Sequence, residues 1–433
     1  MKGLSVFQVI LLAVFGALAV AGVLIFALFV GGSASNTIGP ISIWGTLDPT
    51  AFSVVLRQVS ENEPRLAQVT YVQKDSATYE NSLTDALASG AGPDLFLLTQ
   101  DYALRDASRV TPIPFTYLSQ AQFSNTFVDA ANPLVTPGGV LAIPVLADPL
   151  VMYWNKDILA TAGFAAPPQY WDELSGLTQK VVKKDDSGTV QRAAVPFGEY
   201  VNVDNAKAII ATLILQAGGT ITSQDSVGHL VPALGARTSG PQQATESALR
   251  FYTQFSDPST PDYSWNRSLP SSRAAFAAGN LALYFGYASE APLIARINPN
   301  LNFSPAALPQ IRGAARAVGA AKVYALATTR TSRNPQGAIT VASLIAGSDV
   351  SKALSIALGI PSARRDSLSL GSIQGSDDLF AKQAIIGKSW LDPDPEKTNG
   401  IFQSMVESIT SGSARPSEAI GRADQQMAQL ISQ

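Results

Sequence analysis

Two apolar runs separated by a proline-bracketed carboxylate constrain this chain more than any other stretch. Residues 141–143 and 150–154 are rich in Val, Ile, Leu and aromatics, the composition of strands. Pro144 and Pro149 flank Val145-Leu146-Ala147-Asp148, so the link between the runs is stiff and non-helical. Asn155 is placed to cap a short helix that stops at Gly163, where a left-handed residue costs least. Pro167-Pro168 then breaks the chain, and Trp171-Asp172-Glu173-Leu174 opens a second helix with acid in its first turn. The spacing predicts strand, turn, strand, helix, turn, helix.

Upstream, the alternation of element types sets the fold class. Residues 41–44 (ISIW) read as a strand, and 51–61 as a helix with Phe52, Val55, Leu56 and Val59 on one face. Residues 68–73 alternate as a half-buried strand does; 79–89 read as a helix and 95–98 as a buried strand. Strand, helix, strand, helix, strand implies an α/β fold with a mostly parallel sheet and helices on both faces. Ligands of such sheets sit outside the strand carboxyl ends, which puts Trp44, Asp48, Gln100 and Asp101 at one rim.

Three segments together carry a resemblance. The first is Gly139-Val140-Leu141-Ala142-Ile143-Pro144, then Tyr153-Trp154-Asn155-Lys156-Asp157, Ala162-Gly163, and Pro167-Pro168 ahead of Trp171-Asp172-Glu173-Leu174. The second is Ala88-Ser89-Gly90 leading to Gly92-Pro93-Asp94. The third is Ala275-Phe276 with Gly279 and Ala282. The chain resembles the bacterial extracellular solute-binding proteins of the maltose-binding-protein type from about residue 41 to its end. Tyr170 departs from the pattern, since a capping Thr usually stands there.

The resemblance implies a two-lobed periplasmic-binding-protein fold of type II, each lobe a mostly parallel sheet flanked by helices. It implies lobe one at 38–145 plus 286–328 and lobe two at 149–284 plus 331–433, with crossings near 144–149, 284–288 and 328–332. It also implies a binding protein, not an enzyme, that takes a small solute in the cleft, closes on it, and docks on the permease subunits of an ABC transporter. No cofactor is implied. An extracellular glycan hydrolase and a ligand-free surface scaffold are the competing classes.

Composition removes other chemistries. The 433 residues contain no cysteine and one histidine, His229, which removes disulfides, thiolate sites, a lipid-modified cysteine and nearly all His-based catalysis. Charged residues are 15% and the net charge is -3, so no basic face for nucleic acid is expected. Asp392-Pro393-Asp394-Pro395-Glu396 looks like a calcium loop, but an EF-hand needs Gly where Lys397 stands and Glu where Gln403 stands; a polar turn is the reading. No Gly-Lys-Ser/Thr follows the glycines at 90, 92, 138 and 139, so these do not form a phosphate loop.

Residues 4–30 form an apolar run. As a helix it would be roughly 40 Å long, more than the ~30 Å hydrocarbon core, and a cleaved signal has only about 7–15 apolar residues. A single-pass transmembrane signal anchor is therefore expected, followed by a linker at 31–37. Cleavage near Gly31-Gly32-Ser33-Ala34-Ser35 is the competing reading. Lys2 ahead of the run puts the amino terminus in the cytoplasm and the bulk on the extracytoplasmic side of the cell membrane.

A sugar site needs flat aromatic faces and a few fixed polar groups. Trp44, Tyr79, Tyr200, Tyr284, Tyr287 and Trp390 stand near expected strand ends, with core packing as the alternative for each. Asn202 lies with Glu199 and Tyr200 in the loop at the mouth of the helix expected from 206. The resemblance adds Asp148, seven residues before Asn155, where relatives carry an acidic ligand contact; a turn cap is its alternative. By looser matching it adds Gln100, Asp101, Glu199, Tyr200 and Ser289. Leu97 and Leu98 stand where an aromatic is expected before Gln100, which argues against a maltose-like sugar.

Overall fold

A computed structural model describes residues 38–235, 241–369 and 376–432. The expected anchor at 4–30 and linker at 31–37 lie outside the described residues. Among those residues, eight strands form one continuous sheet. They are β1 (Ile41–Gly45), β2 (Val69–Gln73), β3 (Leu95–Thr99), β4 (Ala142–Asn155), β5 (Leu283–Tyr287), β6 (Phe303–Ala306), β7 (Gly319–Thr328) and β8 (Gly387–Lys388). The main path runs β5-β4-β7-β3-β1-β2, with β6 also on β4 and β8 also on β7.

Local sequence explains the positions. Leu95-Phe96-Leu97-Leu98 is buried on both faces, as a central strand under two helix layers must be. Val69–Gln73 keeps polar and exposed positions, as suits the edge. β1, β2 and β3 pair in parallel. β7 then enters antiparallel between β3 and β4, and β5 and β6 lie antiparallel to β4. The sheet is therefore mixed, not mostly parallel in both lobes. The cause is β4: strands that pair with a strand crossing between lobes are its returning neighbours.

β4 is the largest departure from the sequence reading. The two apolar runs and their link form one strand of 14 residues. Proline belongs in sheets only at edges, starts and bulges. Pro144 lies opposite Ala325, where the β4–β7 register shifts. Pro149 lies where β4 changes partner: the Ala147 N–H donates to Pro361 O at 2.8 Å, and pairing with β5 begins at Leu150. Each proline sits where the ladder is already interrupted, so neither ends the strand.

Two cores flank the crossing. The first holds Ile43, Phe52, Leu97, Ile143, Leu146, Val323, Val341 and Leu354. The second holds Val151, Tyr153, Ile210, Phe285, Ile294, Phe402 and Met427. Residues 284–294 and Leu308 thus stay with the second lobe, and the helices Pro335–Ile345 and Ser348–Leu358 pack with the first. This differs from the expected lobe limits. The chain crosses within β4, again between Leu308 and Ala321, and a third time between Ala384 and Ile401. The crossings expected near 284–288 and 328–332 are absent because β5 completes the second-lobe sheet and β7 returns the chain. Among the described residues no single helix is long and apolar enough to cross a membrane.

Candidate functional site

The second and third crossings border a cleft of about 210 Å³ between the two cores. Its first-lobe wall comes from the turn after β3, where Gln100 and Asp101 follow the strand's carboxyl end. Gln100 is buried, and its Oε1 accepts the Val323 N–H at 2.6 Å, bracing β7. Asp101 Oδ1 is shielded from solvent and meets no donor.

The facing wall begins with the helix Ala206–Gln216. Lys207, Ala208, Ala211 and Leu215 fall on one side of it by helical spacing and line the cleft. Lys207 Nζ donates to Asp392 Oδ2 at 2.5 Å, to Thr398 Oγ1 at 2.6 Å and to Pro395 O at 3.1 Å. Asp392 is 2% exposed and also accepts from Thr398 Oγ1. Residues 392–396 are thus a buried lysine clamp as well as a turn, and Asp394 caps the helix Pro395–Thr410. Trp390 lines the cleft beside this clamp; it stacks on Phe402 at 6.1 Å, with Lys207 Nζ 5.4 Å from its ring centroid.

The floor is the β4–β7–β5 junction. Tyr287, at the end of β5, lines the cleft with Lys322 Nζ 4.6 Å from its ring centroid. Lys322 pairs in register with Asp148 on β4. Asp148 is fully buried; Oδ1 accepts the Ser289 N–H at 3.0 Å, and Oδ2 has no partner. Burial pushes its carboxyl up to about 6, against the Ser289 hydrogen bonds and the Lys322 charge. Burial, then the nearby Asp101 and Asp148 charges, holds the Tyr287 phenol above its ordinary value.

Of the thirteen residues singled out from the sequence, Gln100, Asp101, Tyr287 and Trp390 line the cleft, Asp148 and Ser289 join beneath it, and Tyr284 is buried with its hydroxyl on Glu290. The other six are not among its lining residues and are engaged elsewhere. Trp44 is covered by Lys74 Nζ at 3.6 Å. Asp48 caps the helix Pro49–Ser60 through the Ala51 N–H. The Tyr79 hydroxyl donates to Leu97 O and Trp44 O in the first core. Glu199 pairs with Arg267 at 3.2 Å, and the Tyr200 hydroxyl donates to Asn399 Oδ1 at 2.7 Å. Asn202 pins its loop through Asn266 O, Leu269 O and the Trp265 indole.

Sequence reasoning missed Lys207, Lys322, Lys388, Ser389 and Asn205, all of which line the cleft. Lys207 and Asn205 had a local signal, the mouth of an apolar helix; the others had none. His229 is exposed and lies 3.4 Å from Asp225. Among the described residues no cluster of His, Cys, Asp and Glu could hold a metal.

Two cores joined by three crossings around a polar cleft with two aromatic rings define a two-lobed ligand-binding protein. The chain belongs to the bacterial extracellular solute-binding protein family, whose model matches residues 67–350, well over half of its length. That is a family of binding proteins, not of enzymes. Among curated proteins the chain is similar to the maltotriose-binding protein of Pyrococcus abyssi, at 26% identity over 144 residues, which covers 33% of this chain and 30% of that one. Among solved structures it is similar to a cyclo/maltodextrin-binding protein in complex with maltotetraose (TM-score 0.72, 17% identity, 92% of this chain and 97% of that one). It is also similar to an ABC transporter solute-binding protein from Thermotoga lettingae bound with α-D-tagatose (TM-score 0.70, 18% identity, 91% and 100%).

Proposed function

We propose that this chain captures a sugar or related polyol in the interlobe cleft and delivers it to an ABC importer, tethered to the membrane by residues 4–30. The observation that carries the reading is the cleft's chemistry. Asp101 supplies an oxygen without a donor, Lys322 and Lys207 supply cations within reach of ring faces, and Tyr287 and Trp390 supply the faces. A sugar offers hydroxyl donors around an apolar C–H face, and such a wall complements it. The names of the similar proteins, which bind maltotriose, maltotetraose and tagatose, support the same class. Closure would bring the Asp101 wall toward the Lys207 wall, shifting an open–closed equilibrium by the ligand's preference for the closed form.

The test is a thermal-shift screen of the full chain in detergent against maltotriose, mannobiose, tagatose, amino acids and dipeptides. A ligand at 100 times its Kd adds about 2.7 kcal/mol to stability. Sugars should raise the midpoint and calorimetry should confirm one site. A shift from peptides or amino acids with none from sugars would replace the ligand class. For the tether, amino-terminal sequencing of the membrane fraction should return residue 1 or 2; a start near Ala34 would mean cleavage.

A further inference from the structure

We propose that Glu290 is the positioning residue of the cleft: its carboxylate fixes the turn that aims Tyr287 and brings the Ser289 N–H to Asp148. The inference rests on the cleft being the sugar site. Glu290 does not line the cleft. It is nearly buried, at 9% exposure, and collects four donors from three segments. Oε1 accepts the Tyr287 N–H at 2.9 Å and Asn205 Nδ2 at 2.9 Å. Oε2 accepts the Tyr284 hydroxyl at 2.5 Å and lies 3.5 Å from Arg273 Nη1.

The distances decide what the carboxylate is for. A buried acid kept only as a counter-charge would hold its closest contact to the arginine. Here Arg273 is the longest of the four, and it pairs more closely with Asp204, at 3.1 Å. The shorter bonds go to the groups that shape the cleft. The turn Ala288–Glu290 follows Tyr287 directly, and its middle residue gives Asp148 its one hydrogen-bonded partner on Oδ1. The packing leaves no slack: a Cβ on Gly286 would stand 2.5 Å from the Tyr284 ring and 3.0 Å from Glu290 Oε1.

Asn205 supplies a separate sign. Its φ is 61°, and among the described residues it is the single non-glycine with positive φ. Asn tolerates this region better than other side chains do, and here three hydrogen bonds from its Nδ2 hold it there. Asn205 precedes the helix Ala206–Gln216, yet its side chain does not cap that helix; it reaches back to Glu290. The helix start, and with it Lys207 and Ala208 on the cleft wall, is therefore tied to the same carboxylate as Tyr287 and Ser289. One side chain behind the wall sets the floor and one face together.

Two substitutions separate reach from charge. Glu290→Gln keeps an acceptor at the Oε1 position but loses the charge. Glu290→Asp keeps the charge but is one methylene too short for the Tyr287 N–H. Amide exchange is read across residues 284–290 in the full chain without ligand, beside melting temperature and maltotriose calorimetry. Positioning predicts that Asp raises exchange at Tyr287 and Ser289 at least tenfold and weakens maltotriose binding at least tenfold, while Gln stays within about threefold on both. A counter-charge role predicts the reverse order, with Asp near wild type and Gln impaired, and that outcome overturns the proposal. So does unchanged exchange in both variants. If wild type does not bind maltotriose at millimolar concentration, calorimetry is run with whichever sugar shifts the melting temperature, and the exchange order decides the role of Glu290 independently of the sugar reading.

Discussion

Asp148 shows how far a single side chain can be read and where reading stops. Its ordinary value is 3.8, and burial pushes it up to about 6. A raised acid favours the fold in its protonated form, so this contribution is full below about pH 4 and lost as pH rises through about 6. Asp148→Asn lacks that titration. Between pH 4 and pH 7.5 the variant should therefore gain on wild type by on the order of 2 kcal/mol, read by urea denaturation at each pH. An unchanged difference would mean that the carboxyl titrates near its ordinary value. Asp148→Ala should also weaken sugar binding by about tenfold in calorimetric titration, through loss of the acceptor that holds the Ser289 N–H and so the turn after Tyr287, a hydrogen bond to a charged group being worth about 1.5–3 kcal/mol. The sequence pattern picked out this residue, but not that it lies under the cleft instead of on its wall. Depth depends on Ser289 and Lys322, which come from distant segments. Trp44 and Tyr79 misled for the same reason: their place near a strand end was legible, but not that Lys74 and Leu97 O would occupy them.

At the scale of elements, the helix Ala206–Gln216 is held to the turn before the helix Pro395–Thr410 by Lys207 and Asp392. Asp392 is buried, so removing the lysine leaves an uncompensated charge, which costs about 3–5 kcal/mol. Lys207→Met should destabilise by that order in chemical denaturation, and Lys207→Met with Asp392→Asn should recover most of it. A double variant as unstable as the single one would show that packing, and not charge, carries the loss. The helix itself was legible from its continuous apolar run, as were β1, β2 and β3 from alternation and burial pattern. β4 was not, because proline reads as a breaker unless the neighbouring strands are known. Pro144 meets a register shift and Pro149 a change of partner, and both facts belong to β7, β5 and residue 361.

Across the whole molecule, Arg105 of the first lobe reaches Glu396 at 2.9 Å and Asp394 at 4.0 Å on the second. Glu396 is exposed although Arg105 is half-buried, and a solvent-screened pair of this kind is worth about 0.2–1 kcal/mol, enough to bias a hinge but not to lock it. Arg105→Ala should enlarge the radius of gyration of the unliganded protein in small-angle scattering at low salt. Saturating sugar should compact both proteins; equal radii for the two without ligand would remove this pair from the closure equilibrium. The two lobes were legible from the resemblance, but the limits were not, because the return strand β7 and the helices after it carry no local mark of the core they join. That placement of β7 has a further consequence for synthesis. β7 lies between β3 and β4, yet it emerges from the ribosome long after both. Domains usually fold in order as they are made. Here the amino-terminal half waits with a gap in the middle of its sheet until residue 328 has appeared. Nascent chains ending before residue 319 should stay open to protease across residues 41–147, and chains ending after the helix Ser348–Leu358 should become resistant there in one step.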